Sequence, residues 1–421
     1  MKKINIYYYY LINIFFMLIP VTIILGNFAI NLNILIILLI TLVYITINKK
    51  KIQFRLNFFD KLILLFFFFT ILTLTISYLE KKFSVTTFNN IILPKTILFQ
   101  RYLILYLAIR FFFQEKVLQL KWFNNACALC ASFVCLDILI QFFFGKDLFG
   151  ITPISARHLS GVFGEELVAG GYIQRFFLFV LIFWQSLKEE SIFKKNYIFI
   201  ILTLLIFFSI ILSGNRVPLI LFVISLLIYA YLNLYFKKIF LRTFLTLILI
   251  FFIVFSFNKN VKTHFFHFYQ SGLNLFSTSL FKNLKENPSK ASLKPYVVEF
   301  YCSKIFFKEN PFFGGGIRSY RAHEGGCLTH SHNYYLEILV DLGIFGLSII
   351  MLLLFFIFKK IYLYVKKNKT LPLEITPYLI ILITEFFPIR TSGSIFGTNN
   401  AVIIFTFLAV LISYLSSMKK G

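Results

Sequence analysis

The chain reads as an all-α polytopic integral membrane protein with about 12 transmembrane helices and one long outer, periplasmic loop between the ninth and tenth. Three observations predict this. Of 421 residues, 59% are hydrophobic and 20% aromatic, and mean hydropathy is +0.83. Runs such as LILLFFFFTILTLTISYL and IFLRTFLTLILIFFIVFSF approach or exceed the ~18 apolar residues of a spanning helix. These runs are apolar all round rather than along one stripe, so lipid or neighbouring helices must cover every face. The 58 Phe accompany an excess of Ile, Lys, Asn and Tyr that matches an AT-rich coding bias, and no function is read from them.

In chain order the spans are expected at roughly Tyr8–Leu25, Leu32–Ile47, Leu62–Leu79, Ile97–Phe113, Trp122–Phe144, Tyr172–Leu187, Tyr197–Ser213, Val217–Phe236, Phe240–Phe257, Asn333–Phe358, Leu373–Pro388 and Ala401–Leu415. They make one membrane domain, residues 1–421, with residues 258–332 as its large periplasmic loop. The clusters MKK, NKKKIQFR, KEESIFKK, Lys237-Lys238, KKIYLYVKKNK and the terminal MKKG all fall on one side, which the positive-inside rule makes cytoplasmic. Both termini then face the cytoplasm, and the expected location is the inner (plasma) membrane. The first run has no small-residue cleavage site and is followed by further spans, so it reads as an uncleaved helix. The net charge of +25 suggests nucleic acid at first sight. Its carriers are mostly short lysine clusters that fix orientation and meet anionic lipid, and no basic helix or aromatic-and-basic stripe supports a nucleic-acid partner.

On this topology the outer face carries Gly145–Gly171, the turns Ser213–Arg216 and Arg390–Thr398, and the segment Asn258–His332. All six histidines, His158, His264, His267, His323, His330 and His332, lie there. So do seven of the ten arginines, Arg101, Arg157, Arg175, Arg216, Arg318, Arg321 and Arg390, while lysine dominates the inner side. Orientation needs only charge. An outer face rich in arginine has a use for the planar fork that grips phosphate or carboxylate. The structural alternative pairs these arginines with Glu165, Glu166, Glu324, Glu337 or Asp341 at helix ends; charges near lipid are costly and usually functional.

Individual motifs sharpen this. SGNRVP turns the chain between two spans, with Pro218 in the first helical turn and Arg216 where free N–H groups and the helix dipole favour a phosphate; Arg216 is the first candidate for a phosphate clamp. GGGIR at Gly314–Arg318 lacks the Lys-Ser/Thr ending of a nucleotide loop, but a nest of backbone N–H groups beside Arg318 and Arg321 would suit an anion. The alternative is a flexible turn. His-Ser-His at His330–His332 comes without HExxH or paired CxxC, so metal is not expected, and no cofactor is implied. Cys127 and Cys130 lie within a span and read as packing. Cys302 and Cys327 both face out, where they could form a disulfide closing a loop worth ~3–4 kcal/mol or remain free thiols. His332, at the start of a span near several arginines, suits proton transfer near neutral pH; the alternative is a helix cap, which Asn333 could also provide.

The stretch HNYYLEILVDLGIFG, His-Asn followed by nine residues, Gly, two residues and Gly, resembles the signature of the O-antigen ligase and Wzy polymerase superfamily, in which the histidine follows a large outer loop. SGNR at Ser213–Arg216 resembles that family's short motif between two central spans. RHLSGVFGEELVAGGYIQRF is similar to its stretch of arginine followed by Gly-x-Phe, with Glu165-Glu166 where many members carry Pro-Asn, and PIRTSGSIFGT to a late outer turn. The resemblance spans roughly Ala156 to Thr398. It implies a metal-independent, inverting glycosyltransferase whose donor is a glycan on undecaprenyl pyrophosphate and whose acceptor is lipid- or glycan-bearing. Arg216, with Arg318 or Arg321, would hold the pyrophosphate and screen its charge as it leaves. His332 would take the proton from the acceptor hydroxyl. Asn333, Glu337 and Asp341, four apart on one helix face, would orient that region or pair with an arginine; Arg157, Glu165 and Arg390 are further supporting candidates. Of a different class is a lipid-linked glycan flippase or transporter, with Arg101, Asp137 and Arg175 lining a path, although the repeated halves and broken helices of transporters are not legible.

Overall fold

The structure is a computed structural model and describes residues 6–48, 54–153, 158–186, 192–232, 237–257, 262–263, 266, 295–322, 331–388, 390 and 393–417. In chain order its helices are α1 (Ile6–Met17), α2 (Ile19–Leu25), α3 (Asn27–Asn48), α4 (Phe58–Leu79), α5 (Val85–Thr87), a π-helical turn (Phe88–Ile92), α6 (Leu93–Phe99), α7 (Arg101–Gln114), α8 (Leu120–Phe144), α9 (Ala169–Ser186), α10 (Ile192–Leu212), α11 (Arg216–Leu232) and α12 (Lys237–Phe257). Then come α13 (Pro295–Glu309), α14 (Ser319–Ala322), α15 (Tyr334–Asn368), α16 (Thr376–Glu385) and α17 (Thr398–Ser417). Among the described residues there is no strand. An all-helical polytopic membrane protein follows, because in lipid every backbone polar group must be bonded within its own segment.

Each of the twelve expected spans falls on one or more of these helices. Among the described residues six are long and apolar enough to cross a membrane, or seven if α1 and α2, bent by 43°, count as one. Four more, within α9, α10, α11 and α16, are apolar but shorter. The fourth span is assembled from several pieces over Val85–Gln114, with Pro94 near the α6 start and the π turn ahead of it. The outer segment expected as a loop contains two helices, α13 and α14. Most of residues 258–332, with His264, His267, His323, Glu324, Cys327 and His330, lies outside the described residues, as does Arg157.

The chain packs as two units: residues 1–33, 116–270 and 364–384, and residues 34–115, 271–363 and 385–421. In the first, α9 packs on α8 and α10, with α1, α2 and α11 around them. The loop that follows α8 is stapled to that helix by two side chains one turn apart. Asp137 accepts from the Leu148 and Val162 N–H groups at 2.9 and 2.6 Å, and Gln141 accepts from the Gly161 N–H at 2.9 Å and donates to the Ile151 carbonyl at 3.2 Å. Both Asp137 oxygens therefore accept from backbone, and the residue serves as a loop anchor.

In the second unit, α17 packs on α7, and α14 on the π turn. The tenth span departs from expectation. Instead of one continuous helix, α15 breaks at Gly343, whose φ is 65° and ψ −169°. A break in a buried helix frees carbonyls on one side and N–H groups on the other, and the segment Pro311–Gly316 satisfies both. Gly315 and Gly316 donate to the Val340 and Asp341 carbonyls at 3.1 and 2.8 Å, while Ile344 and Phe345 donate to the Pro311 and Phe312 carbonyls at 2.9 and 3.3 Å. A Cβ on Gly343 would lie 2.3 Å from the Phe312 oxygen, and one on Gly314 would lie 2.4 Å from the Asp341 backbone. Gly343→Val is thus expected to combine a backbone conformation costing ~1–3 kcal/mol with a backbone clash. Thermal unfolding of the detergent-solubilised protein should show a clear drop in Tm, and a Tm equal to the parent's would mean that the break is not held this way.

Candidate functional site

The same contacts revise the expected anion nest. The N–H of Gly314 goes to the Asn310 carbonyl at 3.0 Å, and those of Gly315 and Gly316 to the broken helix, so the three glycines seal α15 and offer no N–H to an anion. Glycine is required because two backbones meet without room for a side chain. The first Gly of the His-Asn-x9-Gly-x2-Gly pattern, Gly343, is the break itself; the second, Gly346, passes so close to Leu342 that its Cβ would lie 2.3 Å from the Leu342 Cβ.

Immediately before α15, Asn333 performs the capping job. Its Oδ1 accepts from the N–H groups of Tyr335 and Leu336 at 3.0 and 3.3 Å, and its Nδ2 donates to the Pro388 carbonyl at 2.8 Å. The cap is therefore supplied without the His332 imidazole. His332 itself has φ 46°, left-handed backbone that a non-glycine residue adopts rarely and that clusters at functional positions. Its side chain is 38% exposed, and its Nε2 lies 3.5 Å from Oε1 of Glu299, which is 2% exposed. Glu299 sits on α13, and burial pushes its carboxyl up to about 8. Glu299 is separated from His332 by more than thirty residues, and no local pattern in the sequence links the two.

The two carboxylates expected on the face of α15 anchor loops rather than pair with guanidinium groups. Asp341, fully buried, accepts from the Arg318 and Tyr320 N–H groups at 2.8 and 3.2 Å and from the Ser319 hydroxyl at 2.8 Å. Glu337, also buried, accepts from the Ile395 N–H at 2.8 Å. Asp341 thereby fixes the start of α14, which carries Arg321, and holds Arg318 at φ 70°. Burial and the neighbouring Arg321 charge pull the Arg318 guanidinium below its ordinary range. Arg390 is paired structurally, 3.0 Å from Glu385 in a buried contact, and Glu385 also accepts from the Tyr334 hydroxyl at 3.1 Å. Glu385 falls within the expected span Leu373–Pro388, so its sequence position does not mark it as an arginine partner. Cys302 is disulfide-bonded; Cys327, with which the sequence left a disulfide open, lies outside the described residues.

In the first unit, Arg216 is the first residue of α11 and is half-buried. The preceding turn is locked: Gly170 donates to the Asn215 Oδ1 at 3.0 Å, and the Asn215 Nδ2 donates to the Leu167 carbonyl at 3.1 Å. A Cβ on Gly170 would lie 2.3 Å from the Ser213 Oγ, so the Gly170-Gly171 pair admits the SGNR turn against α9. Arg216 thus occupies the first turn of a fixed helix N-terminus, as its sequence context implied. Glu165 stands exposed in the turn before α9.

A comparison with curated proteins finds no match. Residues 201–351 of the 421, a segment containing Arg216, Glu299, the glycine loop, Arg318, Arg321, His332 and Gly343, match the family described as O-antigen ligase. The chain is accordingly a multi-pass membrane protein in which residues 201–351 are similar to the O-antigen ligase family.

Proposed function

We propose that the protein transfers a glycan from undecaprenyl pyrophosphate to an acceptor sugar at the periplasmic face of the plasma membrane, in the manner of an O-antigen ligase, with twelve membrane crossings and both termini cytoplasmic. The observation that carries this reading is His332. It is half-exposed, relieved of capping by Asn333 and backed by the buried Glu299 carboxyl, as a general base needs to be accessible and oriented. In the reaction the acceptor hydroxyl gives its proton to the His332 imidazole while its oxygen attacks the anomeric carbon. The bond from that carbon to the phosphate oxygen breaks, with inversion, and the carrier leaves as its pyrophosphate with one more negative charge. Arg318 and Arg321 offset that charge in the second unit, and Glu299, 3.5 Å from the His332 Nε2, orients the imidazole, whose proton then passes to water. Neither metal nor nucleotide enters the scheme. Arg216 is assigned separately, from its place in the first unit, as a phosphate ligand.

The test is purified protein in nanodiscs with a lipid-pyrophosphate glycan donor and a sugar-bearing acceptor, following both released lipid pyrophosphate and lengthened acceptor. Both products are expected from the parent. Arg216→Lys, which keeps the charge but loses the bidentate fork, is expected to reduce transfer at least tenfold with insertion unchanged, since hydrogen bonds to charged groups contribute ~1.5–3 kcal/mol. Absence of both products with competent donor and acceptor would refute a transferase. Product formed on a second carrier-linked glycan and not on a lipid core sugar would assign the polymerase reaction instead.

A further inference from the structure

The second unit also gathers cations that the transfer scheme does not use. Ser77 donates to the Gly315 carbonyl at 2.8 Å and Lys82 to the Gly314 carbonyl at 3.0 Å, docking the glycine loop on the end of α4. Ala322, at the end of α14, packs against the buried group Leu74, Phe88 and Ile92, and a Cβ on Gly316 would lie 3.0 Å from the Ile92 side chain. The π turn and α6 are thereby brought beside α14, and Lys95 stands one helical turn beyond Ile92. The charges of Arg318, Arg101 and Arg321 all act on Lys95. Arg101 begins α7, and its Nη2 donates to the Tyr102 hydroxyl at 2.8 Å and the Thr398 hydroxyl at 3.3 Å.

Among the described residues none of these four cations is ion-paired. Glu337 and Asp341 act on Arg318, but their oxygens are engaged as described above; counting them fully, four positive charges against two negative leave two in excess. The Nε atoms of Arg101 and Arg318 are both buried without an acceptor, which is uncommon for an interior N–H. Like charges held together in this way repel unless an anion joins them.

We propose that Lys95 and Arg101 join Arg318 and Arg321 in a single phosphoryl-binding site of the second unit, sized in charge for a dianion such as a disubstituted pyrophosphate. The assignment of a lipid-pyrophosphate donor rests on the transferase reading, whereas the anion site itself does not. Lys95, exposed and within the stretch Val85–Gln114, meets a phosphoryl oxygen as a point charge; Arg101, held by Tyr102 and Thr398, offers its remaining N–H groups in fixed orientation.

Equilibrium binding of inorganic pyrophosphate to the purified full chain in nanodiscs tests the site without requiring turnover. Lys95→Gln and Arg101→Gln are each expected to weaken binding about tenfold or more, as is Arg318→Gln, while Arg101→Lys controls for loss of fold by keeping the charge. If the Gln variants of Lys95 and Arg101 bind within twofold of the parent while Arg318→Gln is impaired, the two residues lie outside the site and the transferase reading still stands. No pyrophosphate binding by the parent also overturns the site. Intact binding with no transfer would instead strike at the proposed function. Once transfer is measured, a KM raised for the donor identifies the bound group as its pyrophosphate, and one raised for the acceptor identifies it as an acceptor phosphate.

Discussion

His332→Ala is expected to lower glycan transfer by ~10²–10⁴-fold, the usual contribution of a positioned general base, with donor binding retained. A residue acting only at a helix terminus behaves differently. Asn333→Ala, which removes the observed cap, should cost about 1 kcal/mol of stability and reduce transfer far less than His332→Ala does. Glu299→Gln provides the companion measurement. Because burial raises the Glu299 carboxyl from the ordinary glutamate range to about 8, the folded protein holds a proton there that the unfolded chain gives up. That contribution is complete below the ordinary range and is lost as pH rises through about 8. The parent's Tm should therefore fall as pH rises through that window, and Glu299→Gln should flatten the fall. His332→Ala with parental turnover would remove the base from the scheme, and a pH dependence unchanged by Glu299→Gln would remove the dyad.

The largest stability effect is expected at Arg110→Ala. Asp60 closes a capping box with Asn57 at the start of α4, and Arg110 grips it in a fork, Nε to Oδ1 at 2.8 Å and Nη2 to Oδ2 at 3.0 Å. The Tyr106 hydroxyl adds a bond to Oδ1 at 2.6 Å, and Arg110 Nη1 reaches the Ser413 hydroxyl on α17 at 2.9 Å. Both charges are almost wholly buried. Removing the arginine strands the carboxylate, at ~3–5 kcal/mol for breaking a buried pair, whereas an Asp60→Asn, Arg110→Met double variant should recover much of the loss. Unfolding in a denaturing-detergent titration reads both; an Arg110→Ala protein as stable as the parent would show that α4, α7 and α17 are held together without this network.

Arg110 also illustrates why charge type alone was a partial guide. Composition alone marks arginine as functional on the expected outer side, because orientation inside needs only the charge that lysine supplies. Yet Arg110, expected on the inner side, uses its fork fully, on a carboxylate fifty positions away, and Arg390, expected on the outer side, is ion-paired to Glu385. The fork explains arginine in each case. Which anion it meets depends on neighbours that no local pattern reveals.

What the sequence by itself determined is what depends on local composition and short spacing: an all-helical membrane class from apolar runs, a turn at SGNR with Pro218 in the following helix, Asn333 as a candidate cap, and a resemblance to the O-antigen ligase family over the segment that holds the His-Asn-x9-Gly-x2-Gly pattern. Helix formation in an apolar run and capping by an adjacent side chain both act within a few residues, so they are written in consecutive letters. Only the tertiary structure decided that Gly343 breaks the tenth span and that Gly314–Gly316 seal the break instead of facing an anion. It alone brought Glu299 to His332, set Asp137 to anchoring a loop, and drew Lys95 and Arg101 towards Arg318 and Arg321. Each of these joins segments distant along the chain, and the physical reason is the same throughout: a buried N–H, carbonyl or charge must find a partner, and the chain supplies it from whichever segment packing brings within reach.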